Sequence, residues 1–218
     1  MALDRDGALA EAGGRLTRAQ ALGIGAAAGS ALAASALAGH APAAGAGDED
    51  VAILNYALTL EYVQAAFYSE ADRAGALRGP LARQAQVVGA HERAHVTAFR
   101  KVLGARAIAA PRFDFRGQAE DPDAFRKTAV AFEDLAVAAY KAQIPRLQRR
   151  DYLAAAVAIH SVEARHAAWI RRLAGVLPAS KPFDEPLPRA EVMRLVDSTR
   201  FIVSQPRTSG RDAPRFTG

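Results

Sequence analysis

The stretch "AIHSVEARHAAWI", residues 158–170, sets Glu163 and His166 three residues apart, on the helical face that also carries Ile159 and Ile170. A carboxylate on an apolar face loses its hydration, at a cost on the order of several kcal/mol unless something pairs with it. The fold therefore turns on what the rest of the chain places opposite this helix.

The same signature occurs once more, as Glu92 and His95 in "HERAH" at 91–95. Around these two pairs lie four long stretches with helical periodicity and no strand alternation, at 50–74, 80–103, 121–148 and 151–175. The breaks have turn chemistry: "GALRGP" after the first, the long "GARAIAAPRFDFRGQAEDPD" after the second, and "RRD" after the third, where Asp151 is expected to cap the fourth helix. "LPASKPFDEPLPR" closes the set, and a short fifth helix is expected over 190–203.

Each inward stripe carries one glutamate near its middle. The stripes read Leu54, Leu58, Glu61, Ala65, Tyr68; Val88, Glu92, His95, Phe99, Val102; Val130, Glu133, Val137, Tyr140, Ile144; and Ile159, Glu163, His166, Ile170, Leu173. The chain thus repeats. Glu61 precedes Glu92 by 31 residues and Glu133 precedes Glu163 by 30, while Tyr68 and Tyr140 each follow the first glutamate of their half by seven. The midpoints of the two halves fall near residues 77 and 149, inside the turns, so two antiparallel hairpins would bring all of these polar residues level. Helices of about 24 residues are about 36 Å long, and the roughly 17 residues between the second and third can reach about 55 Å. The expected fold is all-α: a four-helix bundle of two antiparallel hairpins joined by a long crossover.

Four glutamates and two histidines at one level would repel or take up protons if left alone. Two divalent cations resolve this, with one imidazole for each and carboxylates between them, and the all-O/N donor set suits Fe or Mn. The expected metal residues are Glu61, Glu92, His95, Glu133, Glu163 and His166, with Tyr68 and Tyr140 as outer hydrogen-bond donors or plain core tyrosines. Chance alone gives about 0.2 Glu-x-x-His pairs for 10 glutamates and 5 histidines in 218 positions, against the two present. His160 is read as a packed or half-exposed residue whose counterpart is Gly89. His91 and Asp134 are expected to point away from the ligands, Arg93 and Arg165 to reach solvent, and Phe113 and Phe115 to pin the crossover to the bundle.

Composition frames this reading. The chain has no cysteine, which removes disulfides and thiolate sites. Its net charge of +5 comes from Lys and Arg spread along the whole chain, so a solvated basic surface is favoured over nucleic-acid binding. Residues 1–47 run from a mixed-charge start through "AQALGIGAAAGSALAASALAG" to "HAPAAGAG", the order of an export signal, too weakly apolar for a stable membrane span. "TRAQAL" at 17–22 resembles a twin-arginine (Tat) signal with Ala19 in place of the second arginine. The expected organisation is an export segment over 1–47, a bundle over 48–177 and a C-terminal extension over 178–218, in a protein exported to the periplasm or beyond the cell.

From Asp50 to about Leu177 the sequence resembles the ferritin-like superfamily. More closely, "PRFDF", "DPDAF", "FEDLAVAAY" and "VEARHAAWIRRL" resemble the exported ferritin-like proteins often called desiccation-related or stress-related. The six ligands of that superfamily match the six residues named above. The resemblance implies a di-iron or di-manganese protein using O2 or peroxide in stress protection, and does not select the reaction, because the superfamily runs several on one site. Whether the chain is an enzyme stays open, as does its oligomeric state. The other readings are a non-catalytic bundle that buffers metal or protects other molecules, and a purely structural interaction bundle.

Overall fold

In the computed structural model, the described residues are 47–204 together with a two-residue antiparallel pair, β1 (Ala10–Glu11) and β2 (Gly14–Arg15). The rest of the expected export segment, including "TRAQAL", lies outside the described residues, as do residues 205–218. Helix α1 spans Asp48–Ala74, α2 Gly79–Leu103, α3 Pro122–Gln143, α4 Arg150–Leu173 and α5 Arg189–Thr199. The fold is an all-α helical bundle, with α1 packed on α2 and α3 on α4 as hairpins. Among the described residues no helix is long and apolar enough to cross a membrane.

The helix ends follow from local chemistry. Gly75, at φ 62°, ends α1 by turning its N–H back to the Ala71 carbonyl, a conformation open to glycine without a Cβ penalty. Asp121 caps α3 by accepting from the Asp123 and Ala124 amides at 3.0 and 2.8 Å, with Pro122 in the first turn. Two expectations fail here. The third helix does not run to residue 148, because Pro145 lacks an N–H and the chain tightens at Gln143 into a 3-10 turn over Ile144–Arg146. Asp151 does not cap α4; it lies inside the first turn and pairs with Arg149 at 2.6 Å. The turn is held instead from across the bundle, where buried Asp50 at the start of α1 accepts from the Gln148 and Arg149 amides at 2.9 and 3.2 Å.

The crossover from α2 to α3 begins with a 3-10 turn over Gly104–Arg106. Asn55 of α1 clamps it, donating to the Arg106 carbonyl and accepting from the Ile108 amide, both at 2.9 Å. Strand β3 (Arg112–Phe113) then pairs antiparallel with β4 (Ile202–Ser204), so the residues after α5 pin the crossover down. Phe115 is buried and Phe113 stacks on it at 5.7 Å between ring centroids. Phe67 lies at the hub of this packing, with the rings of Phe115, Phe125 and Phe132 5.2 to 5.3 Å away. Val192 and Val196 of α5 bury themselves in the same apolar cluster.

That cluster fills one end of the bundle. A second, built on Leu54, Leu58, Phe99, Val102 and Ile159, fills the other. Between the two lies a layer of buried polar side chains.

Candidate metal centre

Each of the four bundle helices sends one glutamate into this layer, and Glu61, Glu92, Glu133 and Glu163 are all fully buried. His95 and His166 join them one turn after Glu92 and Glu163, because residues three apart share a helix face. The structure thus brings together all six residues singled out in the sequence. They form two overlapping groups: Glu61, Glu92, His95 and Glu163, and Glu92, Glu133, Glu163 and His166. Within each group the donor atoms lie within 4.8 Å of one another, close enough to hold a cation.

Glu92 and Glu163 belong to both groups, and their geometry shows how. His95 Nδ1 lies 3.4 Å from Glu92 Oε2 and 3.3 Å from Glu163 Oε1. His166 Nδ1 lies 2.9 Å from Glu92 Oε1 and 3.8 Å from Glu163 Oε1. Glu92 therefore turns one oxygen toward each imidazole, and Glu163 turns a single oxygen toward both. Glu61 and Glu133 stand at the two ends, with Oε2 at 3.1 Å from His95 Nδ1 and at 3.5 Å from His166 Nδ1 respectively.

The outer oxygens of these end carboxylates are held across the bundle. Tyr68 of α1 donates to Glu133 Oε1 of α3 at 2.6 Å, and Tyr140 of α3 donates to Glu61 Oε1 of α1. Each tyrosine fixes the rotamer of a carboxylate two helices away and leaves its second oxygen aimed inward. Gln64 approaches Glu163 Oε2 at 3.5 Å.

Several inward atoms have no hydrogen-bond partner: both oxygens of Glu92, Glu133 Oε2, Glu163 Oε1 and His166 Nδ1. The approach of His166 to Glu92 is close in distance but lacks hydrogen-bonding geometry. Buried polar atoms are ordinarily paired. Five orphaned atoms converging on one place, on oxygens and an imidazole nitrogen, are the donor set a divalent cation takes, so the residues present fit a metal.

Electrostatics tell the same story without a metal. Burial, with the neighbouring carboxylates adding to it, pushes Glu61 well above the usual carboxylate range against the pull of His95. Burial likewise raises Glu133, to about 7, against the pull of His166. Burial acts against the ionised forms of Glu92 and Glu163 too, but the two imidazoles between them overcome it and hold both low. For His95 and His166 burial is outweighed by the surrounding carboxylates, which raise both well above 6.5. Without a cation the layer thus favours protons on the two imidazoles and the end carboxyls, and ionised Glu92 and Glu163 between them. Burial, followed by the carboxylate charge, raises both tyrosines well above 10, so they remain hydrogen-bond donors.

A family model described as a ferritin-like domain matches residues 49–176. The chain belongs to the ferritin-like domain family. No match is found among curated proteins. The matched span contains all four bundle helices of this ferritin-like chain, and with them every member of the two buried groups.

Residues expected to stay out of the centre do so, with one addition. Asp134 forms a two-pronged ion pair with Arg171, at 2.8 and 2.7 Å, on the outer face. Arg93 bonds Ser69 at 3.1 Å and Arg165 the Ser161 carbonyl at 2.9 Å, both exposed. His160 is half-buried, and burial lowers its affinity for a proton. His91 does point away from the carboxylates, yet its Nδ1 lies 2.9 Å from Nε2 of His166. Sequence spacing places His91 about 100° from Glu92; only the position of α4 on that side reveals the contact.

Proposed function

We propose that this ferritin-like protein holds two divalent cations, Fe or Mn, between the two groups and uses them with O2 or peroxide in protection against stress. The observation that supports it is the double sharing by Glu92 and Glu163. One cation would not need a carboxylate turned toward each of two imidazoles. Glu61 and His95 would complete one position, Glu133 and His166 the other. Four carboxylates balance two dications, and two neutral imidazoles add no charge. Bound Fe or Mn would supply a redox couple at which O2 or peroxide can be reduced.

The chain's own part is to bind, orient and exclude water. Tyr68 and Tyr140 hold the end carboxylates in place, and the apolar clusters at both ends keep the layer dry, which strengthens each charge interaction in it. The raised proton affinities of Glu61, Glu133 and the two imidazoles mean that cation binding would release protons. The test is absorption spectroscopy of iron-loaded protein before and after O2 or peroxide. Spectral change that Glu92→Gln abolishes supports the redox reading, and metal bound without any response favours a bundle that stores or buffers it.

Residues 1–47 are proposed to act as an export segment, read from their sequence order. Completing the arginine pair with Ala19→Arg is expected to raise export by the twin-arginine route. Equal export of both forms in cells lacking that route would assign the protein to general secretion.

A further inference from the structure

The two halves of the bundle carry the same ligands but different surroundings. Tyr68 and Tyr140 match in the two halves, as do the two Glu-x-x-His pairs. One residue before each of those pairs the match breaks, with His91 in the first half and Val162 in the second. Eight residues before each pair stand Gln84 and Ala155.

His91 leans across from α2 to the ligand-bearing face of α4. Its ring stacks on that of His166 at 5.2 Å between centroids and 21° between planes, with Nδ1 at 2.9 Å from Nε2 of His166. Since His166 turns Nδ1 to the carboxylates, its Nε2 carries the hydrogen and donates it, and His91 Nδ1 accepts. This fixes the ring plane and tautomer of His166 and makes its inward nitrogen a better donor to a cation. Val162 can do none of this for His95, and among the described residues no side chain bonds His95 Nε2. Gln84 differs from its counterpart too, a fully buried amide where the second half has the methyl group of Ala155.

Resting on the dinuclear reading above, we infer that the two cation positions are unequal: the Glu133–His166 position takes the first cation and holds it more tightly, and His91 is the positioning residue responsible. Outer partners of a liganding histidine change metal affinity by about ten- to a hundredfold, so the gap between the two binding steps should be of that order.

The probe is Mn2+ added alone to metal-free full-length protein, followed by calorimetry and by electron paramagnetic resonance. The parent should bind in two separate steps, and at one equivalent should show the hyperfine pattern of an isolated ion, not that of a coupled pair. His91→Val, which copies the other half, should weaken the first step by about ten- to a hundredfold and leave the second in place. His91→Asn, whose Oδ1 can accept where Nδ1 did, should restore much of the first step. Melting of the metal-free variants confirms that each is folded, and the selective loss of one step is a readout that general damage would not give. Two Mn2+ ions bound as coupled pairs from the first addition, or two steps untouched by His91→Val, would overturn this inference and leave the dinuclear centre standing. A parent that binds no Mn2+, Fe2+ or other dication would overturn both.

Discussion

The hydroxyl of Tyr68 lies 2.6 Å from Oε1 of Glu133, two helices away, and leaves Oε2 of that carboxylate facing the centre. Tyr140 does the same for Glu61. A tyrosine buried for packing alone would not need its oxygen there. Tyr68→Phe and Tyr140→Phe should each destabilise the metal-free protein by about 1–3 kcal/mol, the range for a buried acceptor left unpaired. Each should also weaken metal binding. Thermal melting with and without metal checks both, and an unchanged melting point in either state would reduce the tyrosines to ordinary core residues.

Replacing Glu61 and Glu133 together by Gln should remove metal binding while leaving the metal-free bundle as stable or more stable near neutral pH. Burial already raises the proton affinity of these two carboxyls when no cation is present, and a Gln side chain keeps the oxygen that accepts from Tyr140 or Tyr68. Denaturant melts of the metal-free forms measure this. A double variant much less stable than the parent would mean that the bundle is built around the ionised pair.

The pH dependence of stability should reverse on loading. In the metal-free protein Glu61 and Glu133 have folded-state proton affinities raised above 4.5, so their stabilisation is full below about pH 4.5 and fades as pH rises, through about 7 for Glu133. His95 and His166 add stabilisation that is full below about pH 6.5 and fades above it. The depressed Glu92 and Glu163 act oppositely, losing their stabilisation only as pH falls below about 4.5. The metal-free melting point should therefore decline from about pH 5 to pH 8. Loaded protein should gain over the same range, because entering cations displace protons from these groups. Parallel melting curves at each pH test this, and a metal-free melting point that rises toward pH 8 would contradict it.

Gly89 should resist substitution. Alanine ordinarily stabilises a helix interior by about 1 kcal/mol over glycine, but a Cβ at Gly89 would come 2.9 Å from Cβ of Tyr68. Gly89→Ala should therefore destabilise by about 1–3 kcal/mol and disturb the Tyr68 bond to Glu133. A more stable variant would show that α1 and α2 can separate there without loss.

Much of this was legible in the sequence because helical periodicity and repeat spacing are local signals. The four glutamates, the two Glu-x-x-His pairs and turns at the two midpoints were enough to place α1 to α4 and to bring six side chains level. What escaped depends on which elements meet. Asn55 reads as a helix residue and gives no hint that it clamps the crossover at Ile108. Asp50 reads as a helix-start acid, yet it holds the α3–α4 turn. The strand β4 is too short to announce itself, and its partner Arg112–Phe113 lies about 90 residues earlier. The rotation of its own helix turns His91 away from Glu92 and says nothing about the neighbour it meets.

A dinuclear metal centre in the buried layer would show itself in elemental analysis of the purified full-length protein. Parent protein should carry about two Fe or Mn per chain, and Glu92→Gln, Glu163→Gln and His166→Ala should each lose most of that content. Variants with the same metal content as the parent, or a parent that takes up none after exposure to Fe2+ and Mn2+, would contradict it.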